Sequence, residues 1–172
     1  SVTRKEPDRL ALAWVENIEL DEPGHTPQFL QEFWRRAVFL RLSPNRLQEG
    51  SPATRRSFEP LLDEEGQNLP ALLKELSDEQ RAALVEAVQD ILPGIQDVEV
   101  SKAEVGRDTR IHYSLREEMP YRGRNGKKQF SIPAWMLSEG TRRITAILAL
   151  LMRDPAPTLL CIEELENGLD PW

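Results

Sequence analysis

Cysteine is almost missing from this sequence: Cys161 is the single thiol in 172 residues. One thiol excludes a disulfide framework and a cysteine-ligated metal site, and it makes a reducing compartment the expectation. Histidine is scarce as well, with only His25 and His112. An excess of positive charge is also lacking. Lys and Arg number 22 against 29 Asp and Glu, a net charge of −7, so nucleic acid cannot be held by bulk charge and any such contact needs a local patch. No apolar run approaches the roughly 20 residues of a membrane-spanning helix, and no secretory signal opens the chain. A cytoplasmic location without a membrane partner is therefore expected. The phosphate-binding pattern G-x-x-x-x-G-K-[ST] is absent too. Gly126-Lys127 imitates its end, but Tyr121 stands where the first glycine belongs and Lys128 where the hydroxyl belongs.

What remains is the composition of a folded globular chain, 40% hydrophobic and 30% charged. Its length suits one domain or one and a half. In chain order, Leu10 to Val15 is a short apolar segment that suits a strand or one helical turn equally, closed by Asp21-Glu22-Pro23-Gly24. His25 beside that glycine reads as a loop residue. Phe29 to Phe39 has helical apolar spacing, Val38 to Leu42 reads as a strand stopped by Ser43-Pro44-Asn45, and Gln48 to Pro60 as a polar loop. A helix capped by Asn68 is predicted to run to Leu76. A second runs from Asp78 to Leu92 with Leu84, Val85, Val88, Ile91 and Leu92 as its buried stripe, ended by Pro93-Gly94.

Three strand-like runs follow, Val98 to Val105, Arg110 to Glu117 and Gln129 to Pro133. Ile111, Tyr113 and Leu115 alternate cleanly, which leaves His112 on the strand surface. Together the runs suggest a small antiparallel meander. Between the last two lies Arg122-Gly123-Arg124-Asn125-Gly126-Lys127-Lys128, whose Asn-Gly pair signals a tight hairpin. Its cations suit phosphates of a nucleic acid; a solvated turn accounts for them as well.

Two stretches carry candidate chemistry. Leu137-Ser138-Glu139-Gly140-Thr141-Arg142-Arg143 opens a helix to about Met152, with Ile144, Ile147, Leu148 and Leu151 on one face and Ala146, Ala149 and Leu150 filling much of the rest, so that burial nearly all round is expected. A serine cap, a glycine that permits close approach and free backbone N–H groups make such an N-terminus suitable for phosphate. An ordinary N-cap explains Ser138 equally. The second stretch is Thr158-Leu159-Leu160-Cys161-Ile162, an apolar run entering Glu163-Glu164, then Glu166, Asn167-Gly168 and Asp170-Pro171. The run reads as a central strand covered on both faces, with Cys161 a small core residue. Because successive strand side chains point to opposite faces, Glu163 and Glu164 would differ in role: one acid on a metal's water shell, the other on an attacking water. A solvated helix start beyond a core strand is the plain alternative.

In order and spacing, the two stretches resemble the second half of an ATP-binding-cassette ATPase: signature motif, helix, Walker B strand, catalytic glutamate and D-loop. The nearest likeness is to stand-alone ATPases of the SMC and RecF type, often labelled AAA, in which forms such as LSEGT and IEEPENGLHP are typical. The resemblance is close over Leu137 to Trp172 and looser from about Val38. It implies an α/β fold, a partial P-loop NTPase with a helical insert and a small antiparallel β meander. The implied division is 1–60 as a partial N-terminal lobe and loop, 61–133 as the insert and meander, and 134–172 as signature helix, Walker B strand and D-loop.

The resemblance also implies the ligands, ATP and Mg2+, and the residues that meet them. Ser138 and Gly140 would contact the γ-phosphate of ATP held by the opposite subunit, with Leu137, Glu139 and Thr141 shaping the loop. Glu163 would serve the Mg2+ shell and Glu164 would be the general base or water-orienting group. Asn167, Gly168 and Asp170 would belong to a D-loop crossing the interface of a homodimer or of a pair with a second ATPase chain. Glu163 departs from the usual aspartate and Leu165 from the frequent proline. The implied activity is ATP hydrolysis tied to DNA repair or phage defence, with DNA a possible partner. Without a phosphate-binding loop, and with neither histidine placed after the D-loop, the chain reads as part of a longer protein, inactive alone. A non-catalytic interaction module that keeps the ATPase fold is the alternative. A metal nuclease built on Glu163, Glu164, Glu166 and Asp170 is a third, lacking the histidine or lysine partners such sites commonly add.

Overall fold

The computed structural model describes residues 28–53, 61–106, 108–118 and 128–166. Leu10 to Val15, His25, most of the Arg122 to Lys128 hairpin, and Asn167, Gly168 and Asp170 lie outside them. The first helix, α1 (Gln28–Arg35), is shorter than its apolar spacing suggests, because the same run passes directly into strand β1 (Ala37–Leu40). β1 pairs in parallel with β6 (Leu159–Ile162), in the register Ala37↔Leu159 to Leu40↔Ile162. The pairing continues past both ends through Thr158 N–H to Arg36 O and Glu163 N–H to Leu40 O, at 3.1 and 2.8 Å.

Between these strands the chain builds an antiparallel sheet. β3 (Ile95–Val105) and β4 (Asp108–Glu118) form a long hairpin whose turn carries Gly106 at φ +66, a conformation glycine adopts freely. The other edge of β4 is shared end to end. Two residues of β2 (Ser51–Pro52) pair with Ile111 and Arg110, and β5 (Gln129–Pro133) pairs with Ser114 to Glu118. The polar loop expected from Gln48 thus contributes a short strand after a single-turn helix, α2 (Pro44–Leu47). Ile111, Tyr113 and Leu115 all point into the core, as their alternation predicts, and His112 lies half-buried against Gly50.

Helices α3 (Leu69–Lys74) and α4 (Asp78–Ile91) pack both on this sheet and on α5 (Glu139–Leu151). Arg81 fastens α4 by donating to Val98 O and Leu73 O at 2.9 and 3.1 Å. Asn68 does not cap α3 with its side chain. Its amide accepts from Asp63 N–H at 2.8 Å and donates to Leu61 O at 2.7 Å, while Asp63 accepts from Gln67 and Asn68 N–H, so the side chain staples the preceding loop. That loop turns at Gly66, φ +82, where a Cβ would lie 2.4 Å from Leu47 Cδ2. In α4, Leu84 and Val88 are buried, whereas Ile91 is 50% exposed.

One hydrophobic cluster joins most of these elements. It includes Val38 and Leu40 from β1, Leu69, Leu72 and Leu73 from α3, Leu84 and Val88 from α4, Val98, Tyr113 and Leu115 from the sheet, and Ala146, Ala149 and Leu150 from α5. Each fully buried leucine contributes about 1.5–3 kcal/mol. Two expectations are corrected. α5 is not buried nearly all round: its fully buried side carries Arg142, Thr145, Ala146, Ala149 and Leu150, whereas Ile144, Ile147 and Leu148 are half-buried and Leu151 is 43% exposed. The small side chains of α5 face α2, α3 and α4, and the larger Ile147 and Leu148 pack against the margin of the core. Likewise β6 is half-buried rather than covered on both faces. Among the described residues β1 is its one strand neighbour, and Phe39, in register with Cys161, is 49% exposed. Among the described residues no helix is long and apolar enough to cross a membrane.

Candidate nucleotide site

A turn of 3-10 helix, Ala134–Met136, delivers the chain from β5 to the start of α5. Leu137 is buried and donates its N–H to Ala134 O at 3.2 Å, which anchors the loop from below. Ser138 follows in an extended conformation (φ −61, ψ 157) and caps α5, its Oγ accepting from Thr141 N–H at 3.1 Å and lying 2.8 Å from Thr141 Oγ1. Thr145 returns its hydroxyl to Thr141 O at 2.8 Å. Ser138 and Glu139 are exposed, Gly140 is buried and Thr141 half-buried. The helix N-terminus is thus open to solvent at its cap, with positive dipole charge and unused N–H groups at the surface.

The next two residues are the unexpected part of the site. Arg142 and Arg143 are only 6% and 7% exposed. Their position after a cap and a polar turn gives no signal of burial; the solvated reading is the natural one for adjacent arginines. Being successive on a helix, they diverge. Arg142 donates to Gln48 Oε1 at 3.1 Å and to Ala134 O at 3.3 Å, and its charge acts on Tyr113. Burial pushes the Tyr113 phenol well above its ordinary range, a rise the positive charge of Arg142 partly opposes. Arg143 turns the other way and donates to the main-chain carbonyl of Glu164 at 2.9 Å.

Glu164 lies just beyond β6. Glu163 still follows the strand, hydrogen-bonded to Leu40 O, and its carboxylate stands exposed, 3.9 Å from Arg41 Nε, which is exposed as well. Such an ion pair is loose and screened, so Arg41 leaves Glu163 available to another cation. At Glu164 the backbone leaves the strand for the left-handed region, φ +52, a conformation costing a non-glycine residue about 1–2 kcal/mol. Strand alternation therefore does not extend to Glu164.

Of the expected site residues, the structure places Leu137, Ser138, Glu139, Gly140 and Thr141 on one loop and helix start, and Glu163 and Glu164 at the end of the parallel strand pair. Arg143 joins the two groups. Glu166 is exposed on the same turn. Among the described residues no three His, Cys, Asp or Glu side chains are grouped so as to hold a metal ion. A protein cage for Mg2+ does not fit that arrangement, whereas one exposed carboxylate acting through water does, since Mg2+ keeps several waters and takes most other ligands from phosphates.

No curated protein and no solved structure matches the chain. Residues 11–172 match the family model described as "AAA domain, putative AbiEii toxin, Type IV TA system". That match spans nearly the whole sequence and agrees with a mixed α/β architecture that holds a parallel and an antiparallel sheet. The chain belongs to this family of AAA-type ATPase domains within the P-loop NTPases.

Proposed function

We propose that the chain supplies the signature and acidic half of an ABC-type ATP-hydrolysing site, completed across a dimer. The observation that supports this best is the joining of two sequence-distant stretches, the start of α5 and the turn after β6, through Arg143 and Glu164 O at 2.9 Å. The Ser138 hydroxyl and the N–H groups of the first α5 turn offer donors to a terminal phosphate presented by the opposite subunit. Glu163 closes the Walker B strand and holds a water of the Mg2+ shell. When bound, Mg2+ neutralises phosphate charge. Glu164 orients the attacking water and takes its proton. Asn167, Gly168 and Asp170 are assigned to the D-loop by their motif alone.

In this reading ATP closes a dimer, of two copies or with a second ATPase chain, and hydrolysis reopens it. The β- and γ-phosphates need a phosphate-binding loop from outside these 172 residues. The setting is defence against phage or DNA repair, and the family description adds a toxin–antitoxin system. The test is Glu164→Gln in the full-length protein. Hydrolysis should fall by about a hundredfold or more, while ATP with Mg2+ holds a long-lived dimer visible by light scattering. Hydrolysis at the wild-type rate would remove Glu164 from the catalytic role.

A further inference from the structure

We infer that Arg143 is a positioning residue that holds the acid-bearing turn after β6 in register with the phosphate-facing start of α5, an inference that rests on the role proposed for Glu164. A guanidinium is an odd choice for this place on packing grounds. Arg143 is only 7% exposed, its Nε has no hydrogen-bond partner among the described residues, and its donated bond runs to a main-chain oxygen 21 residues further along the chain. Among the described residues no carboxylate pairs with it, and burying such a cation carries a desolvation cost that an apolar side chain of similar volume would avoid. The compensating gain is a charge-assisted bond to one particular carbonyl.

That carbonyl belongs to the residue that most needs restraint. Glu164 has φ +52, and a non-glycine residue stays in this region only where its surroundings over-determine it. A guanidinium fixed by a buried helix is such a determinant. Holding the carbonyl fixes the peptide plane after Glu164 and therefore the direction in which its side chain leaves the turn. Arg142 shows that the arrangement is specific to Arg143: it is equally buried, yet it serves Gln48 and Ala134 O on the opposite side. The first two turns of α5 thereby clamp three segments, and a shift of the helix start is passed to Glu164 through one direct bond.

The experiment uses the full-length protein with Arg143→Met, Arg143→Lys and Glu164→Gln. Hydrogen–deuterium exchange without nucleotide should quicken by about tenfold at residues 163–166 in Arg143→Met, the effect of losing one buried hydrogen bond, with residues 144–151 unchanged. Turnover of ATP should fall by about ten- to a hundredfold with KM within about twofold, as expected for a misdirected catalytic group. Arg143→Lys should recover part of both. If Arg143→Met does not fold, Arg143→Lys alone decides by the exchange at 163–166. Unchanged exchange and unchanged turnover in the arginine variants overturn the inference; if Glu164→Gln has lost hydrolysis, the role of Glu164 stands. Wild-type hydrolysis in Glu164→Gln overturns that role instead, and the exchange at 163–166 still decides whether Arg143 holds the turn.

Discussion

Helices α4 and α5 begin alike and are used differently. Each opens on a serine N-cap, Ser77 and Ser138, in extended conformation, whose Oγ accepts from the N–H three residues on, at 3.2 and 3.1 Å. At α4 the cap closes on itself: Gln80 returns its side chain to Ser77 N–H at 2.8 Å, and Asp78 and Glu79 face water. This reciprocal box satisfies two donors and leaves little for a ligand. At α5 the residue three beyond the cap is Thr141, no side chain among the described residues returns to the Ser138 N–H, and the helix spends its polar contacts elsewhere, on Gln48, Ala134 O and Glu164 O. A serine cap alone therefore does not mark a phosphate site. What marks it is where the following turn sends its side chains.

Several variants would break or sharpen this contrast. The largest effect should be common to both helices: Leu84→Ala in α4 and Leu150→Ala in α5 each remove a fully buried side chain and should lower stability by about 2–5 kcal/mol in denaturant titration. Gln48→Ala has no counterpart at α4. It withdraws an acceptor from buried Arg142 and should lower stability by about 1–3 kcal/mol, measured the same way. Ser77→Ala and Ser138→Ala should each cost about 0.5–2 kcal/mol, the usual worth of a cap, and so differ little in melting temperature.

The smallest effect concerns pH. The Ser77 hydroxyl hydrogen-bonds the Glu79 carboxylate and holds its pKa below the ordinary value. A lowered folded-state pKa stabilises above the unfolded pKa, and this contribution disappears as pH falls through the folded one. Ser77→Ala should return Glu79 upward in an NMR titration, and the stability gap between wild type and variant should narrow in acid to the pH-independent cost of the lost cap.

Local regularities were legible in the sequence. The alternation of Ile111, Tyr113 and Leu115, the bounds of β5 and the cap of α5 all follow from patterns a few residues long. The candidate site was legible to the extent that Ser138 to Thr141 and Glu163-Glu164 stand out by residue type. Three features depend on partners far along the chain and have no local signal. Which side of α5 is fully buried is chosen by its contacts with α2, α3 and α4, where small residues lie and Ile144, Ile147 and Leu148 stay half-buried. The conformation of Glu164 departs from what a glutamate favours and depends on contacts outside the turn. The burial of Arg142 and Arg143 follows from acceptors 94 and 21 residues away, which no helical periodicity announces.

The most direct measurement compares ATP turnover in Ser138→Ala and Ser77→Ala of the full-length protein, at a temperature where both remain folded. If the start of α5 faces phosphate and the start of α4 only caps a helix, Ser77→Ala turns over ATP at the wild-type rate. Ser138→Ala should then lose about a hundredfold, the usual effect of removing one donor to developing charge. Equal rates in the two variants would contradict the account and reduce Ser138 to a second ordinary cap.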